Sequence, residues 1–258
     1  MSAQRAAELA DHVAQSIQEA RGSLTRAANA AEDLGQVTRQ IEGSVEELNY
    51  SGSLAGRSDD PARFLRDAQD HASDVYRRLG QGEELIGDVR SQLDQTRDRL
   101  TEGRRSLDEL TQVPEQRSEV TAGLRQRLDT LDAAVRTAGR QVEQVSRKFA
   151  VAQGNVEPMV DQARNGNLQD LTSSSVASTG RSAEQNVQQA KSELRNLREG
   201  FDEAGPVANQ AQRDAVELDR LARVGFNPPI GQRTSAGSAE TAYRGHAGGP
   251  DRQNTPER

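Results

Sequence analysis

The fold is decided by residues 6–48, which read AAELADHVAQSIQEARGSLTRAANAAEDLGQVTRQIEGSVEEL. From Ala6 to Leu48, aliphatic and small residues recur at alternating steps of four and three, and only Thr38 departs from apolar character. This spacing draws one narrow apolar stripe along a helix. It is typical of helices that pack lengthwise against one another.

The same alternation of three and four, called here the apolar ladder, returns over residues 65–110, 124–163 and 183–222. Gly82, Thr96 and Gly103 are its other members that are not apolar. With only 3% aromatic residues and no Trp, the chain has little with which to fill a wide core. The ladders therefore predict an all-α fold: an elongated antiparallel helical bundle or coiled coil of about four long heptad-patterned helices with a disordered C-terminal tail.

The predicted helical body covers residues 1–224, with helices at about 3–49, 61–112, 115–164 and 182–223. The Gly and Ser content of residues 50–58 indicates a connection, after which Asp60 caps a helix that has Pro61 in its first turn. Pro114 leaves two alternatives, a hairpin or one kinked rod, and the matched arm lengths favour the hairpin. Residues 164–181, rich in Ser, Thr, Asn and Gly, are predicted to form a loop.

Residues 225–258 are rich in Gly, Pro, Ser and Thr and lack the ladder, which predicts a disordered tail. Its one compact hydrophobic group is Phe226, Pro228, Pro229 and Ile230. Two interpretations stay open for this group. It either terminates the last helix and packs on the end of the bundle, or it is a short docking motif on a flexible arm.

The net negative charge of the chain makes some classes of binding partner unfavourable. The formal net charge is −7, and residues 225–258 carry four Arg against three acids, so the acidity lies in the helical body. An acidic field repels phosphates, which makes nucleic acid and membrane surfaces unfavourable partners. Small ladder residues predict modest apolar area per layer and therefore self-association, alongside partner proteins that the sequence does not identify.

Location and source follow from weaker signals. No stretch approaches about 18 consecutive apolar residues, and acids occur in the first turns, so neither a spanning helix nor a signal peptide is expected. A cytoplasmic protein is predicted, with export by a non-classical route left open. All of the 33 basic residues except Lys148 and Lys191 are Arg, which is typical of a GC-rich genome and predicts a bacterial source.

The sequence offers little chemistry, and no catalytic residue, cofactor or metal is predicted from it. Cysteine is absent, and the three histidines are His12, His71 and His246. His12 and His71 each precede a ladder residue and would share a metal only if the first two helices paired, so both are predicted to be solvated. Gly82 and Gly103 are predicted to admit close helix approach or a large side chain from a facing helix.

Two helical families fail to account for the chain. Spectrin-type repeats use shorter helices with Trp landmarks, and type VII secretion substrates carry a WxG turn and a YxxxD/E signal. Leu54, Gly80 and Ala247 stand four residues after the three tyrosines, so the export signal is missing. The leading hypothesis is a non-enzymatic scaffold or adaptor that acts through coiled-coil interaction. The alternative is a secreted or machine-associated helical substrate, type VII-like or phage-like.

Overall fold

A computed structural model describes residues 3–112, 119–165 and 171–226 of the chain. Within them it contains four helices: α1 (Ala3–Ala55), α2 (Pro61–Thr111), α3 (Glu119–Arg164) and α4 (Ser173–Phe226). At about 1.5 Å per residue these helices are roughly 70 to 80 Å long. They pack as a bundle, which confirms the all-α helical prediction. No helix among the described residues is long and apolar enough to cross a membrane.

The apolar ladders form the core of the bundle. Every ladder residue is buried except Leu65 and Ala163, which are half-buried near helix ends. Thr38 and Thr96 are tolerated there because each hydroxyl donates to a carbonyl of its own helix, to Leu34 O at 2.8 Å and to Gln92 O at 2.7 Å. The four ladders are thus covered by one another within a single chain.

Each helix has two adjacent neighbours and one diagonal one. α1 packs against α2 and α4, and α3 packs against the same two helices from the other side. Side-chain contacts between α1 and α2 run in opposite chain directions, from His12 with Ser106 through Arg26 with Gln92. The contacts between α1 and α4 do the same, so the bundle is antiparallel throughout.

α2 and α3 form the predicted hairpin. Asp108 pairs with Arg125 near the turn, and Arg90 pairs with Glu143 much farther along both helices, at 2.8 Å. One continuous rod would hold these residues far apart, so the kinked-rod alternative is wrong. Pro114 itself lies outside the described residues.

The start of α2 agrees with the sequence. Asp60 occupies the N-cap position and Pro61 begins the helix, although the Asp60 side chain makes no capping hydrogen bond. The Asp60 amide instead donates to Ser58 Oγ at 3.0 Å. Proline at the first position lacks an N–H that would have had no helical partner there, so it costs nothing.

The predicted end of α1 near residue 49 is wrong, because the helix continues to Ala55. The ladder also continues, through the buried Gly52 and Ala55. A Cβ on Gly52 would lie 2.7 Å from Val176 Cγ1, so the glycine serves close approach to α4. Packing between the helices therefore overrides the weak helix propensity of the Ser and Gly residues.

The predicted loop over residues 164–181 is also largely wrong, since α4 begins at Ser173. Thr172 Oγ1 accepts from the Ser175 amide at 3.1 Å, and Ser175 Oγ accepts from the Thr172 amide at 3.1 Å. This is a reciprocal capping box with Ser in place of the usual Glu. The buried Leu171 and Val176 occupy the two positions of a hydrophobic staple. The Ser/Thr cluster thus starts the helix.

At its other end α4 includes Gly225 and Phe226, two residues that the sequence had assigned to the tail. The remainder of the predicted disordered tail, residues 227–258, lies outside the described residues. Pro158 and Pro206 sit inside α3 and α4, and both helices continue through them. Each proline removes one backbone hydrogen bond, which the lengthwise packing of the helix outweighs.

At Gly82 the structure shows the second of the two predicted alternatives, a large side chain from a facing helix. A Cβ there would lie 2.9 Å from Phe149 Cδ2, so the ring of this fully buried α3 residue fills the space that glycine leaves on α2. A Cβ on Gly103 would lie 3.4 Å from Ser16 Cβ and 3.7 Å from Ile17 Cγ1 of α1. Gly82 therefore receives a large side chain, and Gly103 permits the approach of α1.

We predict that Leu131→Asp, which places a carboxylate in the ladder where Leu131 is 3% exposed, lowers the free energy of unfolding by at least about 3 kcal/mol. Val151→Asp on the same helix is the matched control, because Val151 is 50% exposed. Chemical denaturation followed by circular dichroism measures both. Equal losses in the two variants would show that the ladder does not form the core.

We predict that Gly82→Ala destabilises the protein by about 1 to 3 kcal/mol, because the new methyl group displaces the Phe149 ring from a filled core. Gly87→Ala, at an exposed position of the same helix with open space around its Cβ, is expected to stabilise by about 0.5 to 1 kcal/mol. Adding Phe149→Leu should make Gly82→Ala less costly. Losses that simply add would contradict the contact.

Candidate functional site

The predicted docking group starts at the very end of α4. Phe226 is the last residue of the helix, and Pro228, Pro229 and Ile230 lie outside the described residues. The last turn of α4 lies beside the first turns of α1, where Arg223 Nη2 donates to Asp11 Oδ1 at 2.9 Å. The described part of α4 therefore ends beside the start of α1.

Exposed apolar side chains lie on the last turns of α4. Leu221 is 41% exposed and Val224 is 49% exposed, and one helical turn separates them. Val216, farther back along the helix, is 54% exposed. These three residues were not predicted from the sequence, although apolar residues that lie off the ladder are the signal that indicates them. They add apolar area next to the predicted docking group.

The two described histidines do not meet. His12 Nδ1 lies 2.9 Å from Ser106 Oγ, whereas His71 Nδ1 lies 3.2 Å from Glu47 Oε2. Both contacts join α1 to α2, but they stand at opposite ends of the helix pair, about 50 Å apart at 1.5 Å per residue. A shared metal site is thereby excluded for His12 and His71. His246 lies outside the described residues.

Three grooves run between neighbouring helices, and their charges differ. The α1/α4 groove carries four basic side chains, Arg39, Lys191, Arg195 and Arg198, against Glu32, Glu199 and Asp202. The α1/α2 groove is acidic, with Arg26 and Arg99 against Glu19, Asp98 and Glu102. The α2/α3 groove is the most basic of the three, with Arg97, Arg136, Arg140 and Arg147 against Asp94 and Glu143.

A well-formed polar contact between helices lies beside the α1/α4 groove. Lys191 Nζ donates to Glu42 Oε2 at 2.7 Å and Gln188 Nε2 donates to Glu42 Oε1 at 2.6 Å. The hydrogen bond from Lys191 holds the pKa of the Glu42 carboxyl below its usual value of 4.5, against a smaller opposing effect of burial. The contact ties the register of α1 to that of α4.

Among residues 3–112, 119–165 and 171–226, no group of three or more His, Asp or Glu side chains is arranged to hold a metal ion. The carboxylates of this part of the chain are spread over the helix backs, and about half of them form ion pairs, such as Arg195 with Glu199 and Arg220 with Glu217. Within the described residues, the candidate sites are the grooves and the C-terminal end of α4. The chain matches no protein-family model, and no curated protein matches it either.

We predict that Glu42→Gln lowers the free energy of unfolding at neutral pH by about 1 kcal/mol, because it removes a charge-assisted contact between helices. The folded-state pKa of Glu42 is depressed, so its contribution exists above the usual value of 4.5 and is lost as the pH falls through and below it. The wild type and the variant should therefore converge in acid.

Glu46→Gln is the control for this effect. Glu46 is an exposed carboxylate one turn farther along α1, for which the described residues supply no cationic partner. Its replacement should leave the free energy of unfolding nearly unchanged at every pH. A Glu42→Gln effect that persists unchanged in acid would contradict the ionic origin of the contact.

Proposed function

We propose that this protein is a non-enzymatic scaffold or adaptor that acts through protein–protein interaction, with a long helical bundle as its rigid body. The observation that carries the proposal is the mutual burial of the four ladders within one chain. A bundle of this length that needs no partner to cover its core can hold surfaces at fixed positions along some 70 Å. Acids and bases are interspersed along the backs of the described helices, as in the pairs Arg195 with Glu199 and Arg220 with Glu217.

The burial of the ladders changes the mode of interaction that the sequence favours. Partner helices have no open ladder to join, so the proposal places partners on the outer grooves and at the C-terminal end of α4. Self-association stays a prediction, but exposed ladder residues are no longer the reason for it. A second copy would also have to bind by an outer surface.

Affinity purification of the tagged full chain from cells that naturally make it tests the proposed function. Mild cross-linking before lysis should retain one or a few partner proteins in constant ratio to the tagged chain. A tagged variant with the destabilising Leu131→Asp change should lose them if the folded body presents the surfaces. Recovery of the same proteins by the tag alone, or of none in repeated experiments, would contradict a scaffold role.

The contribution of the chain end is predicted separately. Removal of residues 225–258 should leave the helix content and melting of the body unchanged, because Gly225 and Phe226 end α4 beyond its last ladder residue. If the docking interpretation holds, this truncation and the Phe226→Ala, Ile230→Ala double variant both lose a specific partner that the full chain retains. An identical set of partners in all three would exclude the chain end as the binding element.

The secreted or machine-associated alternative stays a prediction, since no contact in the described residues favours it over a scaffold. Export of the protein by its native host would support that alternative.

A further inference from the structure

The α2/α3 groove concentrates positive charge on an acidic protein. Four arginines line it against two carboxylates, although the chain as a whole carries a formal net charge of −7. The α3 side of the groove explains the concentration, because Glu143 is the one acid between Asp132 and Glu157. Three of the four arginines, Arg136, Arg140 and Arg147, follow one another along the same exposed face of α3.

Not all of these arginines are paired with carboxylates of the bundle. Arg97 has no carboxylate partner among the described residues, and Arg140 bonds only to Thr137 Oγ1 of its own helix, at 3.1 Å. Arg147 contacts Glu143 at 3.5 Å, but that carboxylate also binds Arg90 more closely, at 2.8 Å. Several guanidinium groups thus remain able to bind further carboxylates, which their planar donors match in pairs.

Between the arginines the groove has an apolar floor. Leu93 of α2 and Val135 of α3 are each 4% exposed and show their edges to the groove, together with Ala133. Gly139 also lines it, and a Cβ built on this glycine would meet nothing within 4 Å. The groove has a volume of about 890 Å³. From Ala133 to Arg147 it extends about 21 Å at 1.5 Å per residue.

We propose that the α2/α3 groove binds an acidic amphipathic helix of a partner protein, whose apolar side chains contact Leu93 and Val135 while its carboxylates bind Arg97, Arg140 and Arg147. This inference rests on the proposed scaffold function and names the chemistry of one partner. A helix-in-groove contact of this kind combines apolar contacts on one face of the ligand with charge on its flanks. At about 5.4 Å per turn, about four helical turns of a ligand span the groove.

Charge and shape favour this occupant over the others. Residues 227–258 carry four Arg and three acids, so the C-terminal segment of the chain itself lacks the complementary charge. Nucleic acid would find no aromatic side chain in the lining on which to stack its bases, and a longer strand would run into acidic surface. A membrane surface would touch the arginines and leave the concave floor empty.

The test uses the full-length protein and a synthetic peptide of about 16 residues, which forms a helix slightly longer than the groove, with Leu on one face and Glu elsewhere. Fluorescence anisotropy of the labelled peptide measures its affinity. The Arg97→Gln, Arg140→Gln double variant should bind at least about tenfold more weakly, since two charge-assisted contacts are lost. Gly139→Leu, which fills the floor without changing any charge, should weaken binding as well.

Matched controls separate the groove from general electrostatics. Arg39→Gln, Arg213→Gln removes two exposed arginines on α1 and α4 that have no carboxylate partner among the described residues, and Gly154→Leu repeats the glycine change at an open position farther along α3. Both controls should bind as the wild type does. Melting curves followed by circular dichroism establish that every variant is folded.

Three results would overturn the inference: no saturable binding of the peptide, equal weakening by the Arg39→Gln, Arg213→Gln control, or insensitivity to Gly139→Leu. Tighter binding of a single-stranded oligonucleotide or of vesicles with anionic lipid, lost in the Arg97→Gln, Arg140→Gln variant, would assign the groove to a different ligand and also overturn it. The scaffold function would survive any of these outcomes, because native partners could still be recovered through the other surfaces.

Discussion

The burial of four narrow apolar ladders is the constraint on which the rest of the structure depends. A helix whose ladder is exposed over about 70 Å is not stable in water, since its apolar residues gain their free energy only against another surface. α1 packs against α2 on one side and against α4 on the other, and α3 closes the ring from the far side. Matched helix lengths follow, because an unmatched turn would leave ladder residues uncovered.

Small residues determine how closely the helices approach. Val176 of α4 packs against Gly52 of α1. One turn farther along α4, Gly180 faces Asn49 of α1, and a Cβ on Gly180 would lie 2.9 Å from Asn49 Cγ. On the other side of the bundle, Gly82 accepts the ring of Phe149. Such pairs fix the lengthwise register of neighbouring helices, because a shift by one turn would set a side chain against a side chain. Polar contacts such as Glu42 with Lys191 reinforce the same register.

The sequence predicts this core well because nearly every ladder residue is buried in the structure. It also predicts the start of α2 at Pro61, and for Gly82 it gives two alternatives, of which the structure shows the large side chain from a facing helix. It misplaces the end of α1 and the start of α4, where composition indicated loops. There the ladder continues through Gly52, Val176 and Gly180. In the sequence alone a glycine indicates a helix end, and only the facing helix shows that it serves close packing instead. The α2/α3 groove was not predicted. The arginines on its α3 side can be read from the sequence, but Arg97 and Leu93 of α2 join them only when the two helices lie side by side.

A function through outer surfaces follows from a core that is closed within one chain, and this closure can be tested directly. The chain contains no cysteine, so an engineered pair reports on a single contact. A Cβ on Gly52 would lie 3.3 Å from Val176 Cβ. That is close to the separation of about 3.5 to 4.5 Å found across disulfides.

The Gly52→Cys, Val176→Cys variant should therefore oxidise to a monomer with an internal disulfide, as electrophoresis and mass spectrometry of the oxidised protein would show. Gly52→Cys with Gly154→Cys, on the exposed face of the diagonal helix, should remain reduced. A disulfide-linked dimer, or no reaction between positions 52 and 176, would contradict the closure of the bundle by α1 and α4 of the same chain.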